Sequence, residues 1–388
     1  MSDSLAATGR SQRLWQLDAL RGLMLVLMTL THVPTRLTQP MGQPFGFVSA
    51  AFGFVLISGL LVGRVHGGRL LRLGMAPVRR ALWRRAGVVY LCHLGLLAIL
   101  FGLLPHTGVV PEKGPLPGMM WYFTEAPAIA VPAAIGLVHQ PGLLDILPMY
   151  VLFLLASPLA LALLVRGHWP VLAGLSALLW LGAQFGLGAL AYEAAVALTG
   201  VPVPRAALGA FDLFAWQLVW FGGLGFGWAL ARGWQPRPSG WPGALLALAA
   251  AVALVGFVWR HGVGQIPFPA HEAWNAWLDK WHMGPLRLLD ALALVVLVMR
   301  FGPRRPEAGA ALSGLCLLGR SALPVFFTHA VVAMLVLGLV GDEIGARPWT
   351  VDAAILAITF SALFAVAWVA DGGAARLRRR ARTCASTA

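Results

Sequence analysis

Three ionisable residues share one face of an otherwise apolar run near the start of the chain. Asp18 and Arg21, in Leu17-Asp18-Ala19-Leu20-Arg21-Gly22, are three apart and can pair on one helical face. His32 follows Arg21 by close to three turns, which returns it to that face roughly 16 Å further along. A neutral imidazole takes protons from hydroxyls near neutral pH. A guanidinium grips phosphate or carboxylate, and an aspartate can hold it in place. The polar line therefore has the parts for acid–base chemistry at one end and anion binding at the other. A plainer alternative stays open at this point: Asp18 and Arg21 cap one end of the helix and His32 reaches for the far interface.

Other candidates sit in similar surroundings. His93 and His329 lie in apolar runs, and with His32 they fall about 20–26 Å from the same end of their helices at 1.5 Å per residue, so a common layer is expected. Asp212 and Gln217, in Phe211-Asp212-Leu213-Phe214-Ala215-Trp216-Gln217, can face that layer too. Arg287 and Asp290 are expected to form an i,i+3 pair, and Asp145 and Tyr150 are similar cases. For all of these, helix-to-helix hydrogen bonding is the competing reading. Arg80, Arg84 and Arg85 belong to an arginine-rich stretch that also holds Arg64, Arg69, Arg72 and Arg79. Such a cluster suits the phosphates of a nucleotide-like donor, though topology alone can explain it.

The elements that carry these residues are membrane helices. Hydrophobic residues make up 59% of the 388 residues and charged ones only 11%, against about a quarter charged in soluble proteins. Mean hydropathy is +0.77. These values exclude a soluble enzyme, a secreted domain and a disordered chain; the long continuous apolar segments exclude an outer-membrane barrel. An all-α polytopic membrane protein remains. Runs of about 20 apolar residues, enough to span a bilayer, fall at roughly 17–36, 45–66, 79–104, 143–165, 169–192, 211–231, 241–259, 283–300, 312–340 and 351–371. About ten transmembrane helices are expected, with a cytoplasmic segment 1–16, a membrane domain 17–371 and a basic cytoplasmic tail 372–388.

Net charge is +14, and Lys113 and Lys280 are the only lysines. Placing both termini inside puts most of the basic residues in cytoplasmic segments, leaving Arg36, Lys113, Arg205, Arg260, Lys280 and Arg347 on the other side. The hydropathy argues against nucleic acid as the partner of this charge. The three cysteines, Cys92, Cys316 and Cys384, have no disulfide or metal spacing, and no metal site is expected.

The assembled segments resemble a known family. Leu17 to Gly22 with His32, followed by Phe54-Val55-Leu56-Ile57-Ser58-Gly59-Leu60, is similar to the opening of the membrane acyltransferase-3 superfamily. Within it the chain resembles the OpgC family, named for succinylation of osmoregulated periplasmic glucans. Leu147-Pro148-Met149-Tyr150, Ala215-Trp216-Gln217, Gly284-Pro285-Leu286-Arg287 and Leu318-Gly319-Arg320-Ser321-Ala322-Leu323 continue the likeness. The usual Ser-Gly-Phe is Ser-Gly-Leu here, and Arg80 and Arg84 are spaced more loosely than the usual Arg-x-x-Arg.

The resemblance implies a ten-span enzyme of the bacterial inner membrane. It would move a succinyl or acetyl group from cytoplasmic acyl-CoA, a co-substrate rather than a bound cofactor, to a hydroxyl of a periplasmic glucan or other glycan. It implies catalytic roles for Arg21 and His32, supported by Asp18, and donor contacts from Arg80, Arg84, Arg85 and Ser58. His32 is then the expected general base. His93, His329, Asp212, Gln217 and Arg287 are expected at the acceptor side or behind the catalytic groups. Two alternatives are a transporter or flippase that moves a glycan or lipid without acyl transfer, and a membrane cytochrome with two histidines as haem ligands.

Overall fold

The computed structural model describes residues 14–373 apart from 113, 201, 202, 269, 304–308, 342, 343 and 346. The N-terminal residues 1–13, most of the basic tail, Lys113, Arg304, Arg305, Asp342 and Glu343 lie outside the described residues. No strand occurs among those described. In hydrocarbon a helix satisfies its own backbone hydrogen bonds, so long apolar runs fold as helices.

The helices run in this order: α1 Trp15–His32, α2 Thr38–Met41, α3 Ala50–Leu73, α4 Met75–Leu97, α5 Pro115–Glu125, α6 Pro127–Ile135, α7 Ile146–Val165, α8 Trp169–Gln184, α9 Leu187–Thr199, α10 Leu213–Ala231, α11 Gly243–Val263, α12 Glu272–Asn275, α13 Pro285–Phe301, α14 Ala310–Arg320, α15 Ala322–Val340 and α16 Trp349–Ala370. Helix α4 continues through a π turn and a 3-10 turn to His106.

Each of the ten expected apolar runs contains helix, though 33–36 and 45–49 fall outside it. Seven described helices are long and apolar enough to cross a membrane: α3, α4 with its continuation, α7, α10, α11, α15 and α16. The pair α8–α9, bent by 84°, would make an eighth as one broken span. The bend falls where Gly186 takes a left-handed φ of 85° and ends α8. The run expected over 312–340 divides at Ser321, whose Oγ donates to the Ala367 carbonyl 3.1 Å away. Helix α1 has 18 residues but carries Asp18, Arg21 and His32, and α13 has 17.

Two close helix pairs form the frame. On α3, Gly59 and Gly63 face α10, where Gly223 and Gly227 face back. A Cβ on Gly63 would run into the Leu224 carbonyl oxygen, and one on Gly227 into that of Leu60. Small residues four apart let two backbones touch, which replaces the hydrophobic drive that lipid removes. Helices α1 and α14 repeat the device: Gly22 lies against the Leu315 carbonyl and Gly319 against that of Asp18.

The chain after α1 is fastened by charges. Asp352 of α16, only 3% exposed, accepts from the Arg36 backbone N–H at 3.1 Å and from Arg36 Nη1 at 3.0 Å, with Arg347 Nη2 at 3.4 Å. Arg36 also donates to the Arg347 carbonyl, and Arg347 to that of Pro34. Further on, Arg260 Nε of α11 donates to Gln43 Oε1 at 3.0 Å. Arg287 and Asp290 do not pair directly as expected. They bracket one peptide instead: Phe47 N–H donates to Asp290 Oδ2 at 2.8 Å, and Arg287 Nη1 donates to the Phe47 carbonyl. Removing one partner of such a buried set leaves an uncompensated charge, so Arg36, Arg260, Arg287 and Arg347 serve here as structure.

Candidate active site

His32 ends α1 and meets His329 of α15. The rings stack with centroids 5.1 Å apart and planes 27° from parallel, and His32 Nδ1 lies 2.9 Å from His329 Nε2. His329 Nδ1 lies 3.0 Å from the Phe326 carbonyl oxygen. These contacts fix the neutral tautomers. A carbonyl only accepts, so Nδ1 of His329 carries the hydrogen and its Nε2 presents a lone pair. His32 Nδ1–H donates to that lone pair. Nε2 of His32 is then left unprotonated, as a base requires. His329 is fully buried while His32 keeps partial exposure. One ring orients and the other remains reachable.

This geometry is not that of paired haem ligands. Two imidazoles on opposite sides of one iron stand about 4 Å apart, nitrogen to nitrogen, at metal–nitrogen distances near 2.0 Å. At 2.9 Å the contact is a hydrogen bond.

A cavity of about 440 Å³ lies beside the pair. Along α3 its walls are Phe54, Ser58, Leu61, Val65, His66 and Arg69, one helical face. That face measures about 22 Å at 1.5 Å per residue. Arg84 and Arg85 of α4 stand at the same end as Arg69. Arg21 projects into the cavity from α1, its guanidinium 5.6 Å from the centre of the Phe54 ring. Tyr150 of α7, held by its O–H bond to Ser58 Oγ at 3.2 Å, lines the same wall. At the inner end stand Leu323, Phe326, Ile146 and Leu147. His32 itself does not line the cavity; Phe326, whose ring packs edge-on to His329 at 5.1 Å, stands between.

The other expected site residues fall in different places. Arg80 is exposed and does not line the cavity, while Arg69 and His66, which were not singled out, do. Their signal was the helical spacing 58, 62, 65, 66, 69 on α3. Asp18 is buried where α1 meets α14 rather than in the cavity wall. His93 does not join the other two histidines: its Nε2 bonds to the Ala134 carbonyl at 3.2 Å. Gln217 is a tie between α10 and α8, accepting from Ser176 Oγ at 2.6 Å and donating to the Ser176 and Phe214 carbonyls. Asp212 caps α10 by accepting from Ala215 N–H at 2.9 Å. Arg287 is spent on Phe47 and the Leu278 carbonyl. Their bonding is framework, which is what buried polar groups in a membrane protein need.

The loop before α13 adds a further cation, Lys280. Burial and the nearby Arg287 push Lys280 down to about 8, against the pull of Asp145 and Asp279. Its ammonium sits 4.1 Å over the Trp281 ring. In the same loop, the hydrogen bond from His282 Nδ1 to Asp279 Oδ2 at 2.6 Å raises the histidine above its ordinary value.

The described residues thus form a helical membrane protein with an arginine-mouthed cavity beside a hydrogen-bonded histidine pair. Residues 13–373 match the family model described as OpgC protein. The chain belongs to the OpgC family, and membership implies an acyltransferase-type membrane enzyme. No curated protein and no solved structure matches the chain.

Proposed function

We propose that this protein transfers an acyl group, succinyl or acetyl, from cytoplasmic acyl-CoA to a hydroxyl of a periplasmic glucan or related glycan. The observation that carries the reading is the hydrogen-bonded series from His32 to His329 to the Phe326 carbonyl, set behind a cavity whose mouth is arginine. We read ten crossings of the bacterial inner membrane, counting α1, the bent pair α8–α9, α13 and the pair α14–α15 with the rest. The arginine-rich end then faces the cytoplasm.

In this mechanism Arg69, Arg84 and Arg85 hold the donor's phosphates at the cytoplasmic mouth. The acyl arm lies along α3 past Arg21, Ser58 and Tyr150. Nε2 of His32 takes the acceptor hydroxyl's proton as its oxygen attacks the thioester carbonyl carbon. The imidazolium keeps its Nδ1–H bond to His329, which spreads the new charge. Collapse of the tetrahedral adduct breaks the carbon–sulfur bond. The leaving thiolate takes the proton from His32, giving an ester and free CoA thiol.

The test uses purified protein in vesicles with labelled succinyl-CoA and acetyl-CoA and a glucan acceptor. His32→Ala should lose transfer by about 10²–10⁴-fold, the worth of general base catalysis, while still binding donor. Full transfer by that variant removes the mechanism.

A further inference from the structure

A second cavity, of about 320 Å³, opens on the far side of the segment that leads into α7. We propose that it is the binding site for the acceptor, and that it takes a neutral sugar. The assignment rests on the acyltransferase reading only in calling the sugar an acceptor.

The lining chemistry is the opposite of the first cavity. Trp121, His139, Gln140 and Asp145 line it, and no arginine or lysine does among the described residues. An anionic ligand would meet the Asp145 carboxylate in the wall, while the nearby cation Lys280 stands outside the lining and already interacts with that carboxylate. A polyhydroxylated neutral ring would meet an aromatic face for its C–H side and donors and acceptors for its hydroxyls. The volume sits at the low end of small-ligand pockets, about 300 Å³.

The polar groups are held in place. His139 is 1% exposed, lies flat against Phe101 with ring centroids 6.0 Å apart, and its Nδ1 donates to the Ala207 carbonyl at 2.9 Å. That bond fixes the tautomer and leaves Nε2 with a lone pair, which meets no partner among the described residues. A buried acceptor without a donor costs about 1–3 kcal/mol unless a ligand or water supplies one. Asp145 is 6% exposed and accepts from Ala210 N–H at 3.2 Å. Gln140 is tied by its Nε2 to the Leu137 carbonyl at 3.0 Å.

Position gives the cavity its role. Asp145 lines it, and the next two residues, Ile146 and Leu147, line the arginine-mouthed cavity. Leu143, between the lining residues Gly142 and Asp145, packs on the cluster formed by Val33, Ala333 and Ile355. Val33 follows His32, and Ala333 is one turn beyond His329. The two cavities thus flank the histidine pair, as a base serving a hydroxyl from one side and a thioester from the other requires.

The test is binding, which needs no turnover. The full-length protein in nanodiscs is titrated by calorimetry with a neutral linear gluco-oligosaccharide and with a uronic-acid oligosaccharide. The neutral compound should bind, and the charged one at least about tenfold more weakly. Trp121→Ala and Gln140→Ala should each weaken the neutral compound about tenfold, the worth of one ring contact or hydrogen bond, and Trp121→Phe should restore most of it. Melting temperature and acyl-CoA binding should stay at the wild-type values. No binding by the wild type, or unchanged binding by both variants, overturns the site. Sugar binding that Trp121→Ala removes, in a protein that transfers no acyl group, keeps the site and removes the transferase reading. Transfer whose sugar dependence survives Trp121→Ala and Gln140→Ala does the reverse.

Discussion

His329→Phe tests whether His329 acts through His32. Phenylalanine keeps the ring stack but removes the lone pair that accepts His32 Nδ1–H at 2.9 Å. Two consequences follow. The neutral His32 is no longer held in the tautomer with a free Nε2, and the imidazolium formed during transfer loses its partner. A hydrogen bond to a charged group is worth about 1.5–3 kcal/mol, and at 1.36 kcal/mol per tenfold kcat should fall about 10- to 150-fold. His329→Gln, whose amide oxygen can accept the same hydrogen, should recover part of the loss. The informative measurement is the double variant. If His329 works only by orienting His32, then His32→Ala with His329→Phe should be no slower than His32→Ala alone. The assay is transfer of labelled acyl group in vesicles, with donor KM and melting temperature followed in parallel. Multiplicative losses in the double variant, or an unchanged kcat in His329→Phe, would refute the orienting role. A fall in melting temperature that His329→Gln fails to repair would assign the residue to packing.

Two further expectations concern the frame and the loop before α13. Gly225 and Gly227 lie on one helix, yet a Cβ on Gly225 meets open space while one on Gly227 meets the Leu60 backbone. Gly225→Ala should leave thermal stability equal or up to about 1 kcal/mol higher; Gly227→Ala should lower it by about 1–3 kcal/mol, and equal melting temperatures would contradict the close α3–α10 contact. Lys280 should titrate near 8, so reductive methylation with a carbon-13 label should show a resonance with that midpoint that vanishes in Lys280→Arg; a midpoint at the ordinary 10.5 would remove its burial beside Arg287. The sign is that burial disfavours the charged amine, so stability attached to this group grows as pH rises from about 8 toward 10.5.

The sequence made the helices legible because a bilayer demands about 20 apolar residues in a row, and that demand is local. It did not show the bend at Gly186 or the break at Ser321. Hydropathy does not register a left-handed glycine, and the Ser321 bond to Ala367 is made by distant chain. The depth of His32 and His329 could be counted along each helix. Their contact could not, because it depends on how α1 and α15 are rotated toward one another. The same limit separates Arg84 from Arg80: both were visible as a basic cluster, but only the rotation of α4 puts Arg84 on the cavity and Arg80 outside it. Gln217, Asp212 and Arg287 were marked because polar groups are costly in lipid. That cost is met equally well by a helix tie, a cap or a backbone clamp, and those are the bonds these three side chains make.

The polar line on α1 therefore separates into three environments. Asp18 is buried against α14, Arg21 projects into the arginine-mouthed cavity, and His32 stands beyond Phe326 with His329. A helix is rigid, so what happens to its last turn follows from what holds that turn. The chain from Pro34 to Phe47 is tied to α16 by Asp352, to α11 by Arg260 and to α13 by Arg287 and Asp290. Only three residues lie between His32 and Arg36, the first of these ties. These charged groups hold the end of α1 so that its imidazole stays within hydrogen-bond reach of His329. The barrier left between that imidazole and the arginine-mouthed cavity is thin, the ring of Phe326 with Ile146 and Leu147 beside it. In the proposed transfer such a barrier would shield the donor thioester from water until an acceptor is present.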